Sequence, residues 1–220
     1  MRTIAEQLEH IRSHKKIGLM THVVAGFPSL AQTLEVVLQM ERAGVDLVEI
    51  QIPFSDPLAD GPVIMAANDH ALVQGMTLQK AFELMQTLSL QVNIPLLFMG
   101  YFNTVFHYGT AAFCQKAKDV GAQGLIIPDI PYDEETSEHF ISACRAAGIA
   151  QIRVLSPTST PERIKQNLAI AQEFIYCAAT AGTTGVRTTL HPGTKRYLAG
   201  IRKLTDLPIA VGFGISKPEH

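Results

Sequence analysis

The sequence predicts an α/β protein, specifically a (β/α)8 barrel, on three observations. Apolar stretches of strand length alternate with amphipathic helical stretches along the chain. Almost every strand stretch is apolar on both faces, the pattern of a parallel sheet covered by helices. A helix closed by glycine just before an apolar strand recurs at Gly44, Gly121 and Gly148, in AGVDLVEI, VGAQGLIIPD and AGIAQIRVLS. Alternation of this kind implies right-handed crossovers and allows a doubly wound sheet or a closed barrel. The repeated joint favours the barrel, and AGFPSL after the first strand lacks the GxGxxG of a dinucleotide-binding open sheet.

The elements follow in order. Ile4, Leu8 and Ile11 lie on one face of an extra N-terminal helix over Thr3 to Ser13, with Thr3 as N-cap and Glu6 completing a capping box. IGLMTHVVAG is the first strand, and a helix from Pro28 or Ser29 runs through Arg42. The second strand opens DLVEIQIPFSDPLADGP, Asp46 to Pro62. A helical stretch from Val63 to Leu72 follows, then a helix capped by Thr77 that runs to about Leu88. IPLLFMGY, GLIIPDI, AQIRVLS, EFIYCAA and PIAVGFG supply strands three to seven. The helices between them cover Thr110 to Val120, Asp133 or Glu134 to Ala147, and Pro161 to Ala171, and a further one ends before the turn at Thr205 to Pro208. The sequence stops at SKPEH, where the next helix is due. A barrel of this type typically has about 250 residues, so the eighth strand and last helices are expected to be absent and a seam to lie open between strands seven and one.

Composition narrows the function. The 220 residues, 47% hydrophobic and 17% charged, suit one domain spanning 1–220 with a full core. A net charge of −2 with no basic run gives nucleic acid and anionic membranes no electrostatic handle. Cys114, Cys144 and Cys177 are scattered, without a CxxC or a His cluster at metal-ligand spacing, so they read as buried apolar residues in a reducing compartment and no metal site is expected. No signal peptide and no apolar run of ~20 residues is present, which predicts a soluble, cytoplasmic protein.

The chemistry centres on the second strand. Strand side chains alternate, so Leu47, Glu49 and Gln51 share one face while Val48, Ile50 and Ile52 share the other. A carboxylate on a strand with no cheaply wet face must be neutralised, paired or turned into a cavity. Barrel active sites lie at the C-terminal strand ends, which selects Glu49 and, in the loop that follows, Asp60 as acid/base candidates. Asp56, before Pro57, stiffens or caps that loop; Asp129 ends strand four and either holds a turn or binds a ligand. Tyr101 with Asn103, and Tyr176, end strands three and six as pocket lining or core. TAGTTG (Thr180 to Gly185) and GFGIS (Gly212 to Ser216) follow strands six and seven, either as tight turns or as backbone N–H donors for an anion such as phosphate.

Together these stretches resemble the α subunit of tryptophan synthase over essentially the whole chain. VEIQIPFSDPLADGP is similar to that family's signature around strand two, and TAGTTG and VGFGIS to its later Gly-rich loops in order and spacing. The resemblance implies a (β/α)8 barrel that cleaves indole-3-glycerol phosphate to indole and glyceraldehyde 3-phosphate with no cofactor of its own. It implies Glu49 as general acid/base and Asp60 as the carboxylate that stabilises the indole N–H. Thr184 would position Asp60; Gly185, Gly212, Phe213 and Gly214 would line the substrate and phosphate pocket; Ile64, Met99 and Tyr176 would flank the indole, with Tyr101 also at the substrate. The implied partner is a pyridoxal-phosphate-dependent β subunit in an α2β2 complex, which Asp56 would face. Four positions depart from the family's usual residues: Gln51 for Gly, His22 for an aromatic or other apolar residue, Phe27 for Asp, and Thr180 for Arg. Another phosphosugar-binding barrel lyase or isomerase would explain the Gly-rich loops but not Glu49 with Asp60. A non-catalytic activating subunit would have no need of either.

Overall fold

Each β-then-α unit lays its strand beside the last, and the repetition builds one sheet. In the computed structural model, which describes residues 1–180, 182, 192–215 and 217, seven parallel strands follow one another in sequential order. They are β1 (Met20–Val24), β2 (Leu47–Gln51), β3 (Leu96–Met99), β4 (Gly124–Ile126), β5 (Ala150–Leu155), β6 (Ile175–Ala178) and β7 (Ile209–Gly212). This is the strand order of a (β/α)8 barrel; β1 and β7 are the two edges of the sheet, and no ladder joins them among the described residues.

The alternation read from β2 is the layering of the fold. Val48, Ile50 and Ile52 face outward into a large cluster with Phe98, Leu125 and the helices α2 (Leu30–Arg42), α3 (Pro62–Val73), α4 (Leu78–Ser89), α6 (Thr110–Asp119) and α8 (Phe140–Ala147). Leu47 faces inward with Leu97, Met99, Ile126, Ile152 and Phe174. A third cluster, with Leu155, Ile175, Cys177 and Ile201, lies beneath α9 (Pro161–Ile170) and α10 (Thr194–Arg202). The glycine joints have left-handed backbone at Gly44, Gly121 and Gly148, with φ of 90°, 95° and 65°, conformations that a Cβ penalises. Cys114, Cys144 and Cys177 are buried free thiols.

Three departures from the expected elements have physical causes. The first strand begins only at Met20, because the Leu19 N–H is held by the Asp46 carboxylate at 2.9 Å and not by a strand neighbour. The helix expected from Asp133 or Glu134 to Ala147 breaks at His139, φ 52°, into a 3-10 turn (Tyr132–Glu134), α7 (Glu135–Glu138) and α8. Glu135 reaches forward and accepts the N–H groups of Ile141 and Ser142 at 2.6 and 2.8 Å, capping α8 as a new helix. An unanticipated helix, α5 (Phe102–Tyr108), follows β3; both oxygens of Asp129 accept its first N–H, from Phe102, at 2.9 and 3.0 Å. Asp129 thus caps a helix remote in sequence.

The extra helix α1 (Ile4–His14) has the anticipated capping box between Thr3 and Glu6. Its Ile4 enters the inward cluster, plugging the N-terminal end of the sheet. A buried Asp46 fastens it: Oδ1 accepts from Gln7 Nε2 at 3.0 Å and from Lys15 Nζ at 2.7 Å. Removing one partner of a buried, charge-assisted network leaves the others unsatisfied. Asp46→Ala should therefore lower unfolding free energy by roughly 3 kcal/mol, measured by urea denaturation; a loss under about 1 kcal/mol would mean that α1 is held by apolar packing alone.

Candidate active site

At the C-terminal ends of the strands lies a cavity of about 330 Å³. Its wall is mostly apolar: Ile64, Met99, Ile126, Pro128, Val154, Tyr176 and Phe213 contribute, and the carboxyl groups of Glu49 and Asp60 sit among them. The predominance of apolar surface with a few convergent polar groups is typical of a small-molecule site.

Glu49 comes from the inner face of β2, in register between His22 on β1 and Leu97 on β3. It is 6% exposed, and no described residue gives its carboxyl a hydrogen bond or counter-charge. Burial alone pushes its pKa from 4.5 to about 8, because the charged form loses water and gains nothing. Glu49 is therefore largely a neutral acid near pH 7. Tyr176 stands close enough for the Glu49 charge to add to burial in raising its hydroxyl well above the usual tyrosine range.

Asp60 is equally buried, at 3% exposure, but is fully partnered on one side. Its Oδ2 accepts from Gln51 Nε2 at 2.6 Å and from Tyr101 Oη at 3.0 Å, and Tyr101 Oη in turn accepts the Ala59 N–H at 3.1 Å. Among the described residues Oδ1 takes no donor. Behind Gln51 stands His22, with Nε2 2.7 Å from the amide oxygen; burial lowers the His22 pKa, favouring the neutral ring.

Most of the residues expected at the site converge here. Glu49, Asp60, Ile64, Met99, Tyr176, Phe213 and Gly214 line the cavity. Tyr101 does not: it lies behind Asp60, stacked on Phe54 at 5.4 Å. Gly212 is also set back from the wall; a Cβ there would collide with Tyr176 Oη, so the glycine makes room for that ring. Phe213 and Gly214 follow with left-handed φ of 67° and 72°. For a phenylalanine this is a strained conformation of the kind concentrated at functional sites. Thr184 and Gly185 fall outside the described residues. Thr180 is 7% exposed, and its hydroxyl has no partner among them. Asp56 is exposed on the loop after β2, its carboxylate accepting from Ser55 Oγ. Val63, Pro128 and Val154 also line the wall without having been selected as lining residues, and His22 lines it as well. The period-two alternation of AQIRVLS already aligned Val154 with inward Ile152. Among the described residues no cluster of His, Cys, Asp or Glu could hold a metal ion, and no helix is long and apolar enough to cross a membrane.

A parallel barrel sheet with an apolar cavity at its strand ends, into which two buried carboxyl groups project, defines the class: a barrel enzyme acting on a small molecule. The comparisons with known proteins are more specific. A family model described as "Tryptophan synthase alpha chain" matches residues 8–220. The tryptophan synthase alpha chain of Desulfotalea psychrophila is 45% identical over 213 residues, covering 97% of this chain and 83% of its own. Among solved structures, the alpha subunit from Legionella pneumophila superposes with a TM-score of 0.88 at 30% identity, covering 100% of this chain and 80% of its own. Tryptophan synthase of Mycobacterium tuberculosis gives 0.88 at 27% identity, covering 96% of this chain and 80% of its own. The chain belongs to the tryptophan synthase alpha chain family.

The raised Glu49 pKa has a linkage consequence with a definite sign. Between its unfolded value near 4.5 and its folded value of about 8, the folded state holds a proton that the unfolded state has released, so stability falls as pH rises across that window. Glu49→Gln removes this slope. The variant should match the parent below about pH 4.5 and exceed it by a few kcal/mol above about pH 8, read from urea denaturation at a series of pH values. Parallel stability curves for the two proteins would show that Glu49 ionises normally.

Proposed function

We propose that Glu49 and Asp60 carry out the reaction of this family within the cavity, with Glu49 as the acid/base and Asp60 as the anchor of the indole nitrogen. Membership of the family makes the chain a carbon–carbon lyase that splits indole-3-glycerol phosphate, and gives it a β subunit as partner. The observation that carries the assignment of roles is the contrast between the two carboxyls: one is buried without a hydrogen-bond partner, the other buried and held.

The neutral Glu49 delivers its proton to C3 of the indole ring, generating an indoleninium cation. The carboxylate left behind removes the proton from the side-chain hydroxyl nearest the ring. The carbon–carbon bond then breaks: its electron pair returns to the ring, indole and glyceraldehyde 3-phosphate separate, and Glu49 ends protonated as it began. A group with pKa about 8 is poised for both halves of this exchange. Asp60 accepts the ring N–H, so the positive charge that develops on the ring faces a prearranged counter-charge. Ile64, Met99 and Tyr176 enclose the ring. The backbone around Gly212 to Gly214, with Gly185, is assigned to the substrate and its phosphate, and Thr184 to the positioning of Asp60 beside the substrate.

The steps draw only on these carboxyls. The pyridoxal phosphate of the complex is assigned to the β subunit, which condenses the released indole with serine, and Asp56 with its flanking prolines to the face turned toward that subunit. A cytoplasmic setting belongs to the same reading. The test is release of glyceraldehyde 3-phosphate by the chain assembled with a β subunit. Glu49→Gln should reduce it by about a hundredfold or more while assembly persists; undiminished release would remove Glu49 from the acid/base role.

A further inference from the structure

We propose that His22 and Gln51 form a positioning pair that aims Asp60 at the ring nitrogen of the substrate. The proposal rests on the reading of Asp60 given above. Both are polar groups on the inward faces of adjacent strands, where an unpaired polar group is costly. The geometry supplies the reason for their presence.

Gln51 is 0% exposed, and its amide is fixed from both ends. On the nitrogen side stand two acceptors, Asp60 Oδ2 at 2.6 Å and Asn68 Oδ1 at 3.4 Å. Asn68 is itself oriented: its Nδ2 donates to the Ile64 carbonyl at 2.8 Å and its Oδ1 accepts the Phe54 N–H at 3.1 Å. The oxygen side of Gln51 faces His22 Nε2 at 2.7 Å. With the amide nitrogen committed to the two acceptors, the amide oxygen must accept from His22, so the imidazole carries its proton on Nε2. His22 therefore holds the amide against flipping, and the amide holds Oδ2.

With Oδ2 occupied by Gln51 and Tyr101, Oδ1 is left to meet the ring N–H. A glycine at position 51 could supply no such donor, and an apolar residue at position 22 could not hold the amide. His22 and Gln51 are positioning residues: they act on the ring through Asp60.

The experiment compares, on the assembled complex, the affinity for an uncleavable 3-alkylindole phosphate with that for its benzothiophene analogue, which lacks the ring N–H. The parent should favour the indole by about tenfold or more, as expected of a hydrogen bond to a carboxylate. Gln51→Ala and His22→Phe should shrink that preference to within about threefold. His22→Gln, whose amide nitrogen can occupy the place of Nε2, should restore most of it. A merely structural role would weaken both ligands alike and leave the ratio unchanged, as would a general loss of folded protein. A preference lost in Asp60→Asn but kept in Gln51→Ala and His22→Phe overturns the positioning pair alone. A preference absent from the parent, or kept in Asp60→Asn, overturns the reading of Asp60 and the pair with it.

Discussion

The site depends on one carboxyl group being kept from water without compensation. Nothing described in the structure neutralises Glu49, and that is its chemical value: a paired carboxylate would be a permanent anion, whereas an unpaired buried one is held at the edge of ionisation. The cost falls on the fold. An ionising group between β1 and β3 is tolerated because the flanking strands and the outer helices bury enough apolar surface to carry it. The apolar cavity wall then serves two ends, excluding water from Glu49 and presenting a greasy surface to an aromatic ring.

Asp60 solves the opposite problem. It must remain in a defined place and present one oxygen, and the structure surrounds its other oxygen with donors from β2 and the end of β3. Two carboxyl groups in one cavity thus take different roles through their surroundings alone. The barrel makes this division possible because each strand end contributes side chains independently: Gln51 and Tyr101 can hold Asp60 without touching Glu49.

Much of this was legible in the sequence. The barrel followed from the repeated glycine joints, and the inward face of β2 from period-two alternation, which placed Leu47, Glu49 and Gln51 together and Val48, Ile50 and Ile52 opposite. What escaped was non-local. Helix α5 needs a cap from Asp129, and the break at His139 depends on Glu135 reaching forward to a second helix start. Tyr101, at a strand end, read as pocket lining or core; its hydroxyl instead donates to Asp60, a partner 41 residues away in the chain. Gln51 was visible as a neighbour of Glu49 on the inward face and, like His22, as a departure from a family pattern. Their pairing required the register that sets β1 beside β2.

The most direct measurement is the titration of the Glu49 side-chain carboxyl by ¹³C NMR in the otherwise unmodified protein, with Glu49→Gln supplying the assignment. The account predicts a midpoint near 8, with the carboxyl largely neutral at pH 7. A midpoint between about 4 and 5, the ordinary range for a glutamate, would mean that the cavity hydrates or pairs this group and would contradict the account at its root.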